Sequence, residues 1–177
     1  MTDDLTDEVL TTEAPARAEA IHWPEKYQPA SAEIFAHNEI TIDAPAETVW
    51  AWLIRAESWP DWYKNSHHIH FISTSGPNLR DRSRIRWQTF GFRITSKVLE
   101  FVPCQRIAWE SHGIGVAGYH GWVLTRLPNG ATHVMTEKTQ RGWLVRLRAK
   151  FTPKHAERMH QLWLEGLKAR SEAGPPA

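Results

Sequence analysis

Residues 117–124 read AGYHGWVL, and within them Tyr119, His120 and Trp122 place a phenol, an imidazole and an indole in one short stretch. An imidazole titrates near neutral pH and can pass a proton or hold a metal. An indole supplies a large apolar face with a single N–H donor. The stretch is β-branched and aromatic, so it reads as a strand, and alternation divides the trio. His120, Trp122 and Leu124 fall on one face, and Tyr119, Gly121 and Val123 on the other. Trp87 and Trp109, on nearby strand-like runs, can extend the first face into an aromatic wall. Three readings of that wall stand open: a solid core with His120 hydrogen-bonded inside it, a pocket wall whose polar group is His120, or an acid–base site.

An acid–base role needs a partner. Glu137, in THVMTEKTQ, is the best nearby carboxylate, with Glu110 as a second. Alternation makes two cases exclusive: either Glu137 points inward, or Val134 and Thr136 do. Val134 is the better core residue, so Glu137 is expected to be exposed. His68 and His70, in SHHIHF, share a strand face, but zinc needs a third and usually a fourth ligand, and no cysteine lies nearby in sequence. No metal and no cofactor is expected. Cys104 follows Pro103 in a turn without an evident base and is read as a bystander thiol. A Gly-rich phosphate loop, an H-E-x-x-H motif and a nucleophile elbow are all absent from the sequence.

The chain that must position these groups has 177 residues, enough for one well-cored domain, and carries a net charge of +1. That balance gives no global pull toward nucleic acid or anionic membrane. Ten tryptophans and ten histidines stand out and suit core walls or an aromatic cavity. One cysteine excludes an internal disulfide, and no apolar run approaches the roughly 18–20 residues of a spanning helix. MTDDLTDEVL lacks the basic start and apolar stretch of a secretory signal. A soluble, cytoplasmic protein is the expectation.

Residues 1–20 carry a net charge of −5 with weak apolar periodicity and read as a mobile arm. The proline-broken HWPEKYQPAS follows, with Trp23 or Tyr27 as a surface anchor. EIFAHNEITID alternates as a strand, with Asn38 interrupting its apolar face. DAPAETVWAWLIRA reads as a helix starting at Asp43 or the next residue, with Pro45 in its first turn, and ESWPDWYKN as a second, short helix. From about 67 to 141 closely spaced strand patterns joined by turns argue for an antiparallel meander, with Gly91 at a hairpin. Helical periodicity resumes after Gly142 and must break or kink at Thr152-Pro153. Beyond the break Ala156, Met159, Trp163, Gly166 and Leu167 share a face, and GPPA ends the chain as a frayed tail. The stretch 141–160 carries a net charge of +5. It reads as a solvated helix face, a phosphate or membrane-surface contact, or a seat for the acidic arm.

This order, with "PAETVWAWL" as a first helix, "WPDWY" as a second, and YHGWVL and ATHVMTE as the last two strands, resembles the START-like superfamily of polyketide cyclases, dehydrases and lipid-transport proteins. The resemblance covers roughly 32–172 and leaves 1–31 outside. It implies an α+β helix-grip fold: a seven-stranded curved antiparallel sheet around a long C-terminal helix, with two short helices after the first strand. The resulting domains are a flexible arm at 1–31, a helix-grip domain at 32–172 and a disordered tail at 173–177. The resemblance also implies an internal cavity between sheet and final helix for a hydrophobic or aromatic small molecule. Trp62 and Tyr63 would stand at its entrance, Trp87, Trp109, Trp122, Met159 and Trp163 along its walls, and His120 as the polar group. The partner expected is therefore a hydrophobic small molecule, held by a carrier or sensor. One rival is a cyclase or dehydratase using His120 as its acid–base. Another is an interaction or membrane-surface protein using the basic stretch.

Overall fold

A computed structural model describes residues 20–150 and 154–177. Strand β1 (Ile34–Ile42) turns Ala36 and Ile42 into the core on the parity that alternation predicts. Helix α1 (Ala46–Ile54) buries Val49, Trp50 and Leu53. It starts later than expected, because Pro45 is the extended cap residue at ψ 147° and not part of the first turn. A 3-10 turn then leads into the short α2 (Trp59–Trp62).

Strands β2 (His67–Phe71), β3 (Arg84–Thr89), β4 (Phe92–Val102), β5 (Arg106–Gly113), β6 (Val116–Arg126) and β7 (Thr132–Arg141) complete the sheet. Its order is β1-β7-β6-β5-β4-β3-β2, and every neighbouring pair is antiparallel. Helix α3 (Trp143–Ala149) and helix α4 (His155–Glu172) follow as two separate helices. The break expected at Thr152-Pro153 itself lies outside the described residues. Helix α4 buries Ala156, His160, Trp163, Leu164, Leu167 and Ser171, one helical stripe laid against the sheet. This is the helix-grip architecture.

Residues 20–31, expected as a surface segment anchored by Trp23 or Tyr27, lie on the outer face of the sheet. There Ile21 and Tyr27 are buried with Ala108, Tyr119 and Val123, and Trp23 packs against them. The apolar outward residues of β5 and β6 give the segment something to bury against, which charge counting does not reveal. Residues 1–19, with the acidic cluster, lie outside the described residues. Residues 173–177 run along α1: Trp52 Nε1 donates to the Gly174 carbonyl at 2.8 Å and Arg55 to Ala177 at 2.6 Å.

Candidate functional site

Register decides the inner wall. Trp109 pairs with His120, and His120 with Lys138, across β5, β6 and β7, so all three side chains share the inward face. Trp122 pairs with Thr136 beside them. Where the resemblance implied open space, the rings are packed. Trp59 of α2 lies 5.4 Å from Trp87 and 5.8 Å from Trp109, and Trp163 of α4 lies 5.0 Å from Trp59 and 5.1 Å from Trp122. Three of these contacts are edge-to-face and Trp59–Trp109 is tilted, spacings of a filled aromatic core. Trp87, Trp109, Trp122 and Trp163 are all buried here, because Trp59 and Trp163 reach across from the helical side. The space lies beside them. A cleft of about 650 Å³ opens between the end of α2, the β3–β4 turn and the start of α4. Trp62, Tyr63, Phe90, Met159 and Leu162 form its apolar lining, with Lys64, Asn65, Arg148, His155 and Glu165 on its polar side. Of the residues singled out from sequence, Trp62, Tyr63 and Met159 therefore line the cleft, and Trp87, Trp109, His120, Trp122 and Trp163 stand behind it.

Phe90 divides the cleft from the core. It occupies the two-residue β3–β4 turn with Gly91, at φ +53° and +77°, the backbone of a type I′ hairpin. A positive φ is uncommon for a bulky aromatic residue. The turn is tied to both lips of the cleft: Asn65 Oδ1 accepts from the Phe90 N–H at 2.8 Å, and Arg148 donates to the Phe90 carbonyl. Asn65 also donates to the Tyr63 hydroxyl at 2.9 Å, and the Tyr63 ring stacks on Trp163 at 4.4 Å.

Behind the Phe90 ring lies a buried basic cluster. The Lys138 amine stands 4.6 Å from the centre of that ring, and His160 lies 5.8 Å from it on the α4 side. His160 and His120 are 4.8 Å apart, ring to ring. No hydrogen bond or ion pair holds the Lys138 amine among the described residues, and burial alone brings its pKa down to about 7. Burial also pushes His120 and His160 well below the ordinary histidine value, reinforced by the Lys138 charge on both and by His160 on His120. The Thr136 hydroxyl donates its proton to the Gly121 carbonyl at 3.0 Å, so at 2.8 Å it can only accept from His120 Nε2. His120 is thus a neutral imidazole protonated at Nε2. Three buried atoms of this cluster have no partner among the described residues: His160 Nε2, Trp122 Nε1 and Trp163 Nε1.

The carboxylates considered for His120 face away from it. Glu137 is on the outer face, 2.9 Å from His37, with Val134 and Thr136 inward, as the alternation of β7 predicts. Glu110 is bound there by Lys26 at 2.7 Å. Lys138, His160 and Phe90 were not singled out from sequence. Lys138 had a signal, since it shares the parity of Val134 and Thr136. The basic stretch is partly tied down within the protein: Arg146 pairs with Glu33 at 2.9 Å, and Arg141 donates to Ser31 at 2.9 and 3.0 Å. A register shift in β2 between His67 and His70 contains His68, at φ +51°, and no group of three or more candidate metal ligands forms among the described residues. No helix among the described residues is long and apolar enough to cross a membrane.

A curved sheet gripping a C-terminal helix, with a cleft at one end, defines the class of START-like helix-grip domains. Residues 35–172 match the family described as polyketide cyclase / dehydrase and lipid transport, and the chain belongs to that family. Among solved structures, a hypothetical protein from Helicobacter pylori is 31% identical, with a TM-score of 0.81 over 89% of this chain and 99% of that one. A protein from Thermus thermophilus is 22% identical, with a TM-score of 0.65 over 78% and 97% of the two chains. An aromatase/cyclase from a Streptomyces species is similar in fold, at 16% identity and a TM-score of 0.66 over 80% and 98%. No curated protein matches the chain.

Proposed function

We propose that the protein binds an apolar small molecule in the cleft between α2, the β3–β4 turn and α4, as a carrier or sensor. The observation that carries this reading is the cleft itself. Its volume of about 650 Å³ falls within the usual range for small-molecule sites, about 300–1,000 Å³, and its walls are Trp62, Phe90, Met159 and Leu162. Membership of a family described by cyclisation, dehydration and lipid transport points to the same chemical class. The rival cyclase reading gains no support at His120. That imidazole is buried, held neutral, bonded to Thr136 and separated from the cleft by other side chains.

The test is titration with the neutral dye 1-N-phenylnaphthylamine, whose emission rises in apolar surroundings. Wild-type protein is expected to enhance it saturably. Leu162→Glu and Met159→Glu, each placing a charge on the cleft wall, should weaken binding by about tenfold or more. Leu162 is already half-exposed, so its variant should melt as the wild type does. Absence of any enhancement, or equal binding by both variants, would remove the cleft as the site.

A further inference from the structure

The Lys138 amine has no hydrogen bond or ion pair among the described residues. It is only 5% exposed, its face-on neighbour is the Phe90 ring, and the nearest strand carboxylates, Glu137 and Glu110, point to the opposite side of the sheet. A buried cation with no counter-ion is costly, and evolution normally supplies an acid or removes the lysine. Neither has happened here. Of the unpartnered buried atoms, three on the rings near His120 can donate, whereas Asn38 Oδ1, on the inward parity of β1, only accepts. Trp122 Nε1 and Trp163 Nε1 can only donate, an ammonium can only donate, and His160 Nε2 donates in one of its tautomers. The amine stands behind Phe90 and outside the cleft lining, and a group that only accepts would match it.

We propose that Lys138, with His160 beside it, is the head-group site for a carboxylate, so that the ligand of the cleft is an apolar carboxylic acid. This rests on the reading of the cleft as the binding site. A carboxylate accepts at both oxygens and donates nothing, and its charge compensates the amine. Its flat shape suits a site walled by aromatic rings and carrying a single cationic side chain. Access is a matter of one ring. Phe90 touches the cleft on one side and the Lys138 amine on the other. Its turn hangs on Asn65 and Arg148, so a rotation of that ring would open the cleft toward the amine without unfolding a strand. In the closed state the aromatic face occupies the place the carboxylate would take, holding the amine by a cation–π contact.

Lauric acid and dodecanol separate head from tail, because they share a chain and differ at the group Lys138 would meet. Each is titrated against bound 1-N-phenylnaphthylamine. Wild-type protein should prefer the acid by about tenfold or more, as expected for a hydrogen bond to a charged group. Lys138→Met should lose that preference while binding dodecanol as before, and the retained dodecanol affinity certifies that the variant is folded. Phe90→Ala should speed the association of lauric acid measured by stopped flow. If Lys138→Met keeps the acid preference, or loses acid and alcohol alike, the head-group assignment is wrong while the cleft stands. If the wild type binds neither lipid nor dye, the cleft reading itself has failed, which is a different result.

Discussion

On β7 the residues Val134, Thr136 and Lys138 share the inward face, and the last of them titrates. Lysine in an unfolded chain has a pKa of about 10.4, whereas burial brings the Lys138 amine to about 7. Between those values the unfolded state holds a proton that the folded state releases, so stability rises with pH across that window and falls as pH drops toward 7. Below about pH 6.5 His120 and His160, both shifted downward and both facing Lys138, continue the same trend, because unfolding lets them protonate. Lys138→Met should therefore flatten the stability profile between about pH 7 and 10 and keep the decline on the acid side. At pH 7 it should be more stable than wild type by about 1–4 kcal/mol, since it replaces an uncompensated buried charge by an apolar chain. Urea denaturation at a series of pH values measures this, and parallel profiles above pH 7 would mean that the amine is hydrated. The inward turn of Lys138 was legible, since the alternation that sends Glu137 outward sends its neighbour in. The approach of His160 was not, because it depends on how α4 docks, which strand parity does not describe.

The cleft depends on how two helices and a hairpin meet. Gly166 of α4 lies against the chain end of α2, where an added Cβ would stand 2.7 Å from the Trp62 carbonyl oxygen and 2.9 Å from its ring. Two effects compete in Gly166→Ala. Helix propensity favours alanine by up to about 1 kcal/mol. The clash is with a backbone oxygen that cannot rotate aside, and overpacking of this kind costs about 1–3 kcal/mol. The clash should win, with a net loss of about 1 kcal/mol by urea denaturation. It should also change 1-N-phenylnaphthylamine affinity, because α2 must move and Trp62 is a cleft wall. If Gly166→Ala instead gained stability and left dye binding unaltered, α2 would be shown to yield freely. Much at this scale was readable: Gly91 marks the hairpin turn, and helical periodicity on either side of Thr152-Pro153 marks α3 and α4 as separate helices. The partners of the basic stretch were not, since Glu33 and Phe90 come from distant strands and turns.

At the scale of the whole molecule the sheet has two buried faces, one under α4 and one under the N-terminal segment. Periodicity names the face of each residue but not the separation of the layers, so whether Trp87, Trp109 and Trp122 enclose space turned on the reach of Trp59 and Trp163 across the gap. The outer face accounts for the remaining residues of YHGWVL. Tyr119 lies 5.6 Å from Trp23 and stacks on Tyr27 at 5.7 Å, and Gly121 leaves the room that Ile21 fills, where a Cβ would come within 2.6 Å. Two kinds of contact hold this segment and its continuation to the body. One is apolar, through Ile21 and Tyr27, with the Thr139 hydroxyl donating to the Tyr27 carbonyl at 3.1 Å. The other is ionic, through Glu33 and Arg146, whose side chain is 71% exposed. Exposed pairs contribute at most about 1 kcal/mol, whereas truncating a fully buried large aromatic costs about 3 kcal/mol or more. Tyr27→Ala should therefore lower the melting temperature far more than Arg146→Ala. It should also create a binding site for 8-anilinonaphthalene-1-sulfonate over Tyr119 and Val123, while Arg146→Ala should not. Equal, small effects from the two variants would mean that the sheet does not need this cover, and that Tyr119 is stable facing water.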